Sequence, residues 1–326
     1  MIKNKLFTGL FAMLLLTSQL NGQTEITDFM KMNVKDAEVL IKAYMQPYGD
    51  MMGRALNGGW YNVASVHKFP GFDINIGLNL AMVASSSKSF NVESLLPQLS
   101  DGWSLKNPNN YESPTIAGKM GNRPVLSKNN VNVPLPDGYG WGIMPLPMLQ
   151  AGVGLPFNTE IIGRLLPKIP VGSFGKVNLW GLGLKHDLKE SLPIIKHLPV
   201  LQTSLLVGYT RMGISSDLKY KEIEGDHKLV SNNSGFTGRL IVGANLPVIS
   251  LYMGLGYGHS SCGFDLVGNY IVGGEELNDP VKIRYKNNNF DANIGMRLKF
   301  GVVTIHGDYT LGEYSMISAG LGVSIR

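Results

Sequence analysis

Long segments of this sequence alternate apolar and polar residues with a period of two, and this alternation limits what the chain can form. From residue 72 large apolar side chains stand at every second position, with small or polar side chains between them. The apolar set is Phe72, Ile74, Ile76, Leu78, Leu80 and Met82, opposite Asp73, Asn75, Gly77, Asn79 and Ala81. The pattern returns at 236–246, 290–300 and 303–311. It predicts β-strands with one apolar and one polar face.

The length of these strands favours a membrane barrel over a soluble β-sandwich. Sandwich strands usually run for about five or six residues, whereas these run for roughly ten to thirteen, the length of a tilted strand that crosses a bilayer. The predicted strands are 71–84, 147–155, 159–167, 175–186, 200–212, 235–246, 248–260 (or 248–272, with a bulge near Cys262), 289–300, 302–312 and 316–326. Hairpins near 115–119 or 130–134 would add to this number. We therefore predict an all-β protein, an antiparallel transmembrane β-barrel of about 10–14 strands.

Short and long connections alternate between the predicted strands. The joints at 246–248 and 300–302 are tight, while 213–234 and 273–288 are long and polar. Outer-membrane barrels combine short periplasmic turns with longer extracellular loops. Segment 85–145 is too long for an ordinary loop, so we predict a barrel of residues 70–326 with a long insertion at 85–145.

The first 22 residues have the three-part plan of a secretory signal peptide. Lys3 and Lys5 precede an apolar run at 6–16, and the small residue Gly22 stands before the expected cleavage point. The run is too short for a spanning helix, which needs about twenty residues. The prediction is an exported protein with a cleaved signal peptide, located in the outer membrane of a Gram-negative bacterium.

Residues 23–69 are predicted to form a helical plug or cap ahead of the first strand. Apolar residues recur with helical spacing between 34 and 45. The plug helix is expected to place Leu40, Ile41, Tyr44 and Met45 on this apolar face. An isolated helix of about twelve residues is marginal in water, so the face needs a partner. The nearest candidate is the periplasmic mouth of the barrel, reached through a Gly-rich connection at 49–59; a plug and a periplasmic cap are equally compatible with the pattern.

The composition argues against several kinds of site. The formal net charge of +5 becomes +3 without the signal peptide and calls for no nucleic-acid partner. The lone cysteine, Cys262, excludes an intramolecular disulfide and a cysteine-based zinc site. The histidines lack metal-ligand spacing, and the pair His186–Asp187 is more typical of a solvated rim than of catalysis. We predict no metal, no cofactor and no enzymatic activity.

The polar strand faces supply candidates for the lining of the lumen. Their charged side chains could bind an anionic head group or balance one another. The candidates are Asp73, Arg164, Lys185, His186, Arg239, Asp291, Arg297, His306 and Asp308. Gly-x-Gly runs such as 181–183 do not lead from a strand into a helix, which argues against a phosphate-binding loop. They are interpreted as room on the lumen side.

Four segments of the sequence resemble a known family. They are 56–61, 67–68, 71–73 and 178–187, the last reading Asn-Leu-Trp-Gly-Leu-Gly-Leu-Lys-His-Asp. They look like those of an uncharacterised family of Gram-negative outer-membrane proteins. The layout of that family is distantly similar to that of the long-chain fatty-acid outer-membrane transporters. The resemblance implies an N-terminal plug, a barrel and a large extracellular insertion.

Two functions remain open from the sequence. The first is a channel or transporter for small hydrophobic or amphipathic molecules, with the plug obstructing the lumen and the insertion gating it. The second is a structural or adhesive barrel with a closed lumen. The loop side is rich in Met and aromatic residues that would suit apolar ligand capture: Trp103, Tyr111, Tyr139, Trp141, Met144 and Met148. The expected partners are outer-membrane lipid, a small apolar ligand and the barrel-assembly machinery.

Overall fold

The computed structural model describes residues 32–119, 121, 123–170, 175–218, 227–272, 275–279 and 281–325. The predicted signal peptide, 1–22, lies outside them. Among the described residues, no helix is both long enough and apolar enough to cross a membrane.

Ten antiparallel strands close into a barrel. In chain order they are β1 (Phe72–Met82), β2 (Ile143–Leu155), β3 (Thr159–Pro170), β4 (Lys176–Asp187), β5 (Leu201–Leu218), β6 (His227–Asn245), β7 (Ile249–Val267), β8 (Val281–Phe300), β9 (Val303–Leu311) and β10 (Met316–Ile325). Each strand pairs with the next, and β1 closes the barrel on β10 from Phe72↔Ile325 to Ala81↔Met316. The predicted antiparallel barrel is confirmed, at the lower end of the expected strand number.

The connections define two different rims. One rim carries 156–158, 188–200, 246–248 and 301–302, and the other carries the described residues of 83–142, residues 312–315, and the ends of β3, β5 and β7 with the starts of β4, β6 and β8. We call the first the short-turn rim and the second the long-loop rim. In bacterial outer-membrane barrels the short-turn rim faces the periplasm. The longest connection at this rim, 188–200, contains a 3₁₀ turn (Lys189–Ser191) and a short helix (Pro193–Lys196).

The outer face of the barrel carries an apolar band bounded by aromatic residues. Along β8 the outward side chains are polar from Lys282 to Asn288 and apolar from Phe290 to Phe300. Aromatic residues continue this upper boundary around the wall: Tyr257, Phe236, Tyr209 and Trp180. An apolar band about 25 Å tall between aromatic girdles is the lipid-facing surface of outer-membrane barrels. The exposed apolar side chains of this wall therefore face lipid.

Strands β5 to β8 continue past the aromatic boundary. The predicted loop at 213–234 was wrong, because β5 runs to Leu218 and β6 begins at His227. The predicted loop at 273–288 was wrong in the same way, because β8 begins at Val281. The cause is physical: apolar alternation marks only the part of a strand that faces lipid. Above the bilayer the outward side chains of a strand face water and can be polar.

A long helix, α1 (Val34–Asn57), lies inside the barrel. Asn33 caps its start, with Asn33 Oδ1 accepting a hydrogen bond from the backbone N–H of Asp36 at 2.9 Å. The prediction that the helix ends at residue 45 was wrong. The later turns remain helical because Met51, Met52 and Leu56 are completely buried against the wall.

Two glycines explain why the sequence suggested a loose connection after residue 48. A Cβ atom at Gly49 would lie 2.7 Å from the ring of Tyr285, and one at Gly53 would overlap Ser260. These glycines let the helix approach the wall closely. A residue type that usually weakens helices therefore serves packing here.

The helix enters the lumen from the long-loop rim. Near its start, Glu38 Oε1 accepts a hydrogen bond from the N–H of Lys282 at 3.0 Å, and near its end Arg54 pairs with Asp291. Residues 58–71 then run through the rest of the lumen to β1 at the short-turn rim. We call residues 32–71 the plug, the level of α1 the outer half, and the level of 58–71 the inner half. The predicted position of the helix at the periplasmic mouth was wrong.

The described residues of the insertion at 83–142 form short turns and small sheets at the long-loop rim, and these sheets are separate from the barrel sheet. It contains 3₁₀ turns at Ser85–Ser87 and Glu93–Gln98, a sheet of Ser89–Asn91 with Glu112–Pro114, and a sheet of Ser104–Leu105, Val125–Lys128 and Val131–Pro134. A further ribbon pairs Asn269–Val272 with Glu275–Asn278. Of the two predicted hairpins, the one near 130–134 exists but does not join the barrel, and 115–119 contains a turn and no strand.

Candidate functional site in the plugged lumen

Trp60 occupies a slot lined by glycines at the top of the inner half. Its side chain is 1% exposed. Cβ atoms at Gly183 and Gly208 would lie 2.7 and 2.6 Å from its ring. The guanidinium carbon of Arg164 lies 3.7 Å from the ring centroid, a cation–π contact. The small residues of the wall thus leave room on the lumen side, as the sequence predicted, and Trp60 fills it.

Arg164 also closes the C-terminal end of α1. It donates hydrogen bonds to the carbonyl oxygens of Leu56 at 3.3 Å and Gly58 at 2.7 Å, and to Gln150 Oε1 at 2.8 Å. Asn79 Nδ2 donates to the same Gly58 carbonyl at 3.1 Å. The last carbonyl groups of a helix lack partners within it and carry partial negative charge. A buried arginine at this point donates hydrogen bonds to these carbonyl groups and balances their partial negative charge.

Asp291 of β8 pairs with two arginines, Arg54 of the helix and Arg239 of β6. Arg54 Nη1 lies 2.5 Å from Asp291 Oδ2, and Arg239 Nη1 lies 2.7 Å from Asp291 Oδ1. Arg54 Nε also donates to the carbonyl of Tyr314 at 2.6 Å. The charged side chains are at most 3% exposed. Removing one partner of a buried pair typically costs about 3–5 kcal/mol, because the other charge is left uncompensated.

Lys185 holds the backbone of the inner half. Its Nζ donates to the carbonyl oxygens of Val63 at 3.0 Å and Ser65 at 2.7 Å. The same nitrogen lies 3.6 Å from Glu160 Oε2 on the neighbouring strand. A wall lysine therefore fixes two carbonyl groups of the plug by direct contact with its main chain.

Three potential metal ligands converge beside this lysine. Metal-binding atoms of His67, Asp73 and Glu160 lie within 4.8 Å of one another, and all three residues are buried. His67 Nδ1 lies 3.2 Å from Glu160 Oε1. The Lys185 ammonium already supplies a positive charge to Glu160 and would repel a second cation. We describe the group as a buried ion-pair cluster.

The remaining predicted lumen residues line the inner half. Arg297 Nη1 donates to Asn62 Oδ1 of the plug at 3.0 Å. Tyr252 donates to Asp308 Oδ2 at 3.4 Å. His306 is partly buried on the same face of β9 as Asp308. The structure thus places one set of predicted residues in the lumen: Asp73, Arg164, Lys185, Arg239, Asp291, Arg297, His306 and Asp308.

His186 was wrongly predicted to line the lumen. It is exposed on the outer face of β4, where Nδ1 lies 2.9 Å from Thr159 Oγ1. Successive side chains of a strand point to opposite faces. Because Lys185 faces the lumen, its neighbour His186 has to face outward.

The outer half of the lumen is apolar, although barrel interiors are usually polar. Side chains of α1 and of the inward strand faces form one buried cluster there. It includes Leu40, Ile41, Met51, Met52, Met144, Met148, Met212, Phe264, Ile283 and Met316. Of the predicted plug face, Leu40, Ile41 and Tyr44 are buried and Met45 is partly buried. Non-directional contacts therefore hold the helix here, together with polar contacts such as Arg54–Asp291 and Asp50–Tyr314.

Asp36 fastens the start of α1 to the insertion. The N–H and Oγ of Ser100 donate to its two carboxylate oxygens at 2.8 and 2.6 Å, and Trp103 Nε1 donates at 2.8 Å. Asn33 Nδ2 adds a hydrogen bond at 2.7 Å. Burial alone would raise the pKa of the Asp36 carboxyl, but these hydrogen bonds outweigh it and hold the pKa below its usual range. We call this group the latch.

Several residues that organise the lumen were missed from sequence. Asp36 stands at a polar position of the predicted helix, where a solvated face is the ordinary interpretation, and Arg54 stands in the segment that was predicted to be a Gly-rich connection. Glu160 lies on a strand whose lumen face was recognised only through Arg164. Gly181 and Gly183 indicated that the lumen side of β4 leaves space for a large side chain. Nothing in the sequence identifies that side chain as Trp60.

A family model described as a family of unknown function (DUF6588) matches residues 1–325. No curated protein sequence matches the chain.

Several solved outer-membrane proteins are similar in fold. The translocator domain of the autotransporter NalP from Neisseria meningitidis is 12% identical, with 88% of this chain and 99% of that chain covered and a TM-score of 0.34. The outer-membrane protease OmpT from Escherichia coli is 9% identical, with 80% of this chain and 99% of that chain covered and a TM-score of 0.31. The toluene transporter TodX from Pseudomonas putida is 8% identical, with 84% of this chain and 96% of that chain covered and a TM-score of 0.27. Such values carry no information about function.

Proposed function

The chain belongs to the DUF6588 family, a family of unknown function, and we propose from its own geometry that it is a plugged outer-membrane transporter for small hydrophobic or amphipathic molecules. In the closed state α1 fills the outer half of the lumen. Transport requires α1 to shift along the lumen towards the long-loop rim, with Gly58 and Gly59 as the joint. Gly59 has a φ of 66°, a backbone conformation that favours glycine.

The observation that carries this proposal is the Met-rich apolar contact between α1 and the wall. Methionine is flexible and adapts to different neighbours, so Met51 and Met52 can exchange wall contacts for contacts with an apolar ligand. Met148, Met212 and Met316 offer the same adaptability from the wall. A merely structural barrel could fill its interior with ordinary polar lumen residues.

The polar contacts define what stays fixed and what must break. The inner half is tied to the wall by directional hydrogen bonds from Lys185 and Arg164 to plug carbonyls. The helix is tied by its own polar contacts, among them the latch at Asp36, the hydrogen bond from Tyr314 to Asp50 at 2.8 Å and the Arg54–Asp291 pair. These contacts keep the resting state closed, and a bound ligand must compensate for their loss.

A reversible disulfide tests whether α1 moves. A Cβ atom at Gly258 would lie 3.5 Å from Asn57 Cβ, within the range of about 3.5–4.5 Å found in disulfides. Asn57→Cys with Gly258→Cys, in a Cys262→Ala background, should therefore lock the end of the helix to β7. We expect uptake of radiolabelled naphthalene by intact cells to stop in the oxidised protein and to return on reduction.

The matched control is Asn57→Ser with Gly258→Ser in the same background, which should take up naphthalene equally with and without reductant. Equal uptake by the locked and the reduced cysteine variant, both above cells lacking the protein, would mean that transport does not need the helix to move. Uptake no greater than in cells lacking the protein, in every variant and in the unmodified chain, would contradict transport altogether.

The second candidate is a barrel with a permanently closed lumen that acts through its loops. It is favoured by the buried polar network of the inner half, which anchors the plug at several levels. Tyr111 and Tyr139 at the long-loop rim are also exposed and could contact a partner. The absence of uptake described above is the result that this candidate predicts.

The remaining parts of the proposal concern location and partners. We propose that the signal peptide is removed on export, that the barrel-assembly machinery inserts the chain, and that lipid covers the apolar band. The proposal contains no catalytic step, metal or cofactor. Its substrate is a small apolar or amphipathic molecule.

A further inference from the structure

An open cleft of about 610 Å³ lies at the long-loop rim beside the start of α1. Its walls are one face of the first turns of α1, the 3₁₀ turn Glu93–Gln98 and the upper end of β8. The lining residues that matter below are Lys35, Glu38, Val39, Lys42, Leu95 and Lys282. Ligand pockets in proteins typically have volumes of about 300–1,000 Å³. The cleft is therefore large enough for a small molecule.

Positive charge dominates the lining. Lys35, Lys42 and Lys282 are all exposed. Arg284 also lines the cleft, but its guanidinium is paired with Asp265 at 2.6 Å. Glu38 is the one acidic residue of the lining, and its Oε1 is occupied by the backbone N–H of Lys282. The cleft thus keeps an excess of lysine charge.

Apolar side chains complete the walls. Val39 and Leu95 are half-buried on opposite walls, and Ile283 is buried between Lys282 and Arg284. A ligand that combines an anionic group with a short apolar body would match both surfaces. Neither inorganic anions nor neutral apolar molecules would use the whole cleft.

The height of the cleft decides where its occupant comes from. Lys282 lies eight residues along β8 beyond Phe290, the upper aromatic boundary, which corresponds to roughly 20 Å above the apolar band for a tilted strand. A lipid anchored in the bilayer could not place its acyl chain in the cleft at this height. The occupant must arrive from the aqueous side.

We propose that this cleft binds a soluble, small anionic amphiphile, such as an organic phosphate or sulfate with a short apolar group. As the first binding site of a transporter it rests on the proposed function. Binding itself can be measured without transport, so the two ideas can fail separately.

Calorimetric titration of the full mature protein in neutral detergent tests the proposal. The ligand is phenyl phosphate, with inorganic phosphate and phenol as the separate anionic and apolar parts. We expect phenyl phosphate to bind at least about tenfold more tightly than either part, and to weaken as salt is raised. Absence of binding, or equal binding of phenyl phosphate and one of its parts, would overturn the proposal.

Substitutions locate the site. Lys35→Gln with Lys42→Gln should weaken phenyl phosphate binding about tenfold or more, because both lysines of the cleft face of α1 lose their charge-assisted contacts. Glu38→Gln should strengthen binding by removing the opposing charge. Lys196→Gln, at the opposite rim, should bind like the unmodified protein. Heat-modifiability on gels checks that each variant is folded, and a folded double variant with unchanged affinity would place the ligand elsewhere.

Discussion

Trp60 anchors the inner half of the plug, and we expect its removal to be among the most costly single changes in the lumen. Trp60→Ala would leave a cavity beside Gly183 and Gly208 and would remove the stacking partner of Arg164. Truncation of a buried tryptophan to alanine typically costs about 3–5 kcal/mol. Equilibrium urea unfolding in detergent should show a loss of this size.

The control for this prediction is Trp180→Ala. Trp180 is 43% exposed on the outer face, where lipid or detergent can replace it. If both substitutions cost the same, the glycine slot does not contribute the expected packing energy.

For single residues, the sequence predicted which side of the barrel wall most side chains face, but it did not predict which groups they contact. Strand alternation correctly put Asp73, Arg239 and Asp291 on the lumen side. The same rule, applied residue by residue, would have excluded His186 because Lys185 precedes it. It could not show that Lys185 binds carbonyl groups of residues more than a hundred positions earlier, since such contacts depend on how the plug is threaded.

At the scale of elements, the fit of α1 to the wall can be tested at Gly53. Alanine is normally better than glycine in a helix by about 1 kcal/mol, yet a methyl group at Gly53 would overlap Ser260. Overpacking of this kind typically costs about 1–3 kcal/mol. We expect Gly53→Ala to destabilise the protein in urea unfolding despite its higher helix propensity.

Ser260→Gly provides the compensating change. The double variant, Gly53→Ala with Ser260→Gly, should recover most of the stability lost in the single variant. A double variant no more stable than Gly53→Ala would show that the helix and β7 are not in the close contact described.

The latch should respond to acid. Because the folded-state pKa of Asp36 is below its unfolded value of about 3.9, its contribution is present above that value and is lost as pH falls through the folded-state pKa. Trp103 donates to the same carboxylate, so its fluorescence should change as the latch opens in acid. Asp36→Asn should remove this transition, and an identical acid transition in that variant would assign it to another group.

Sequence periodicity predicted the membrane-facing parts of the strands. It failed for the strand ends above the apolar band and for the helix inside the barrel. Contact with lipid requires an apolar side chain at every second position from Phe290 to Phe300, so this part of β8 can be recognised from the sequence. Above Phe290 water imposes no such demand, so the upper parts of β5, β6 and β8 were predicted as loops. The second half of α1 was missed because Pro47, Gly49 and Gly53 resemble a breakpoint, and only a surrounding wall makes them compatible with a helix.

For the whole molecule, the apolar band should set the cost of charge on the outer face. Ile294 is 60% exposed between Phe290 and Phe300, the ends of the apolar part of β8, so it faces the interior of the bilayer. Ile294→Arg should destabilise the protein in liposomes by about 2–4 kcal/mol. Lys286→Arg, above the boundary, should have almost no effect, and equal stability of the two variants would contradict the assigned bilayer position.

The threading of the plug has a consequence for how the protein is made. The chain passes down the inside of the barrel before it begins the wall, and the last strand, β10, closes on the first, β1. In a finished barrel, the start of α1 would have to be pushed from the periplasm through the narrow inner half. The seam between β1 and β10 must therefore close around a chain that is already inside, so the plug belongs to the assembly intermediate and is not added afterwards.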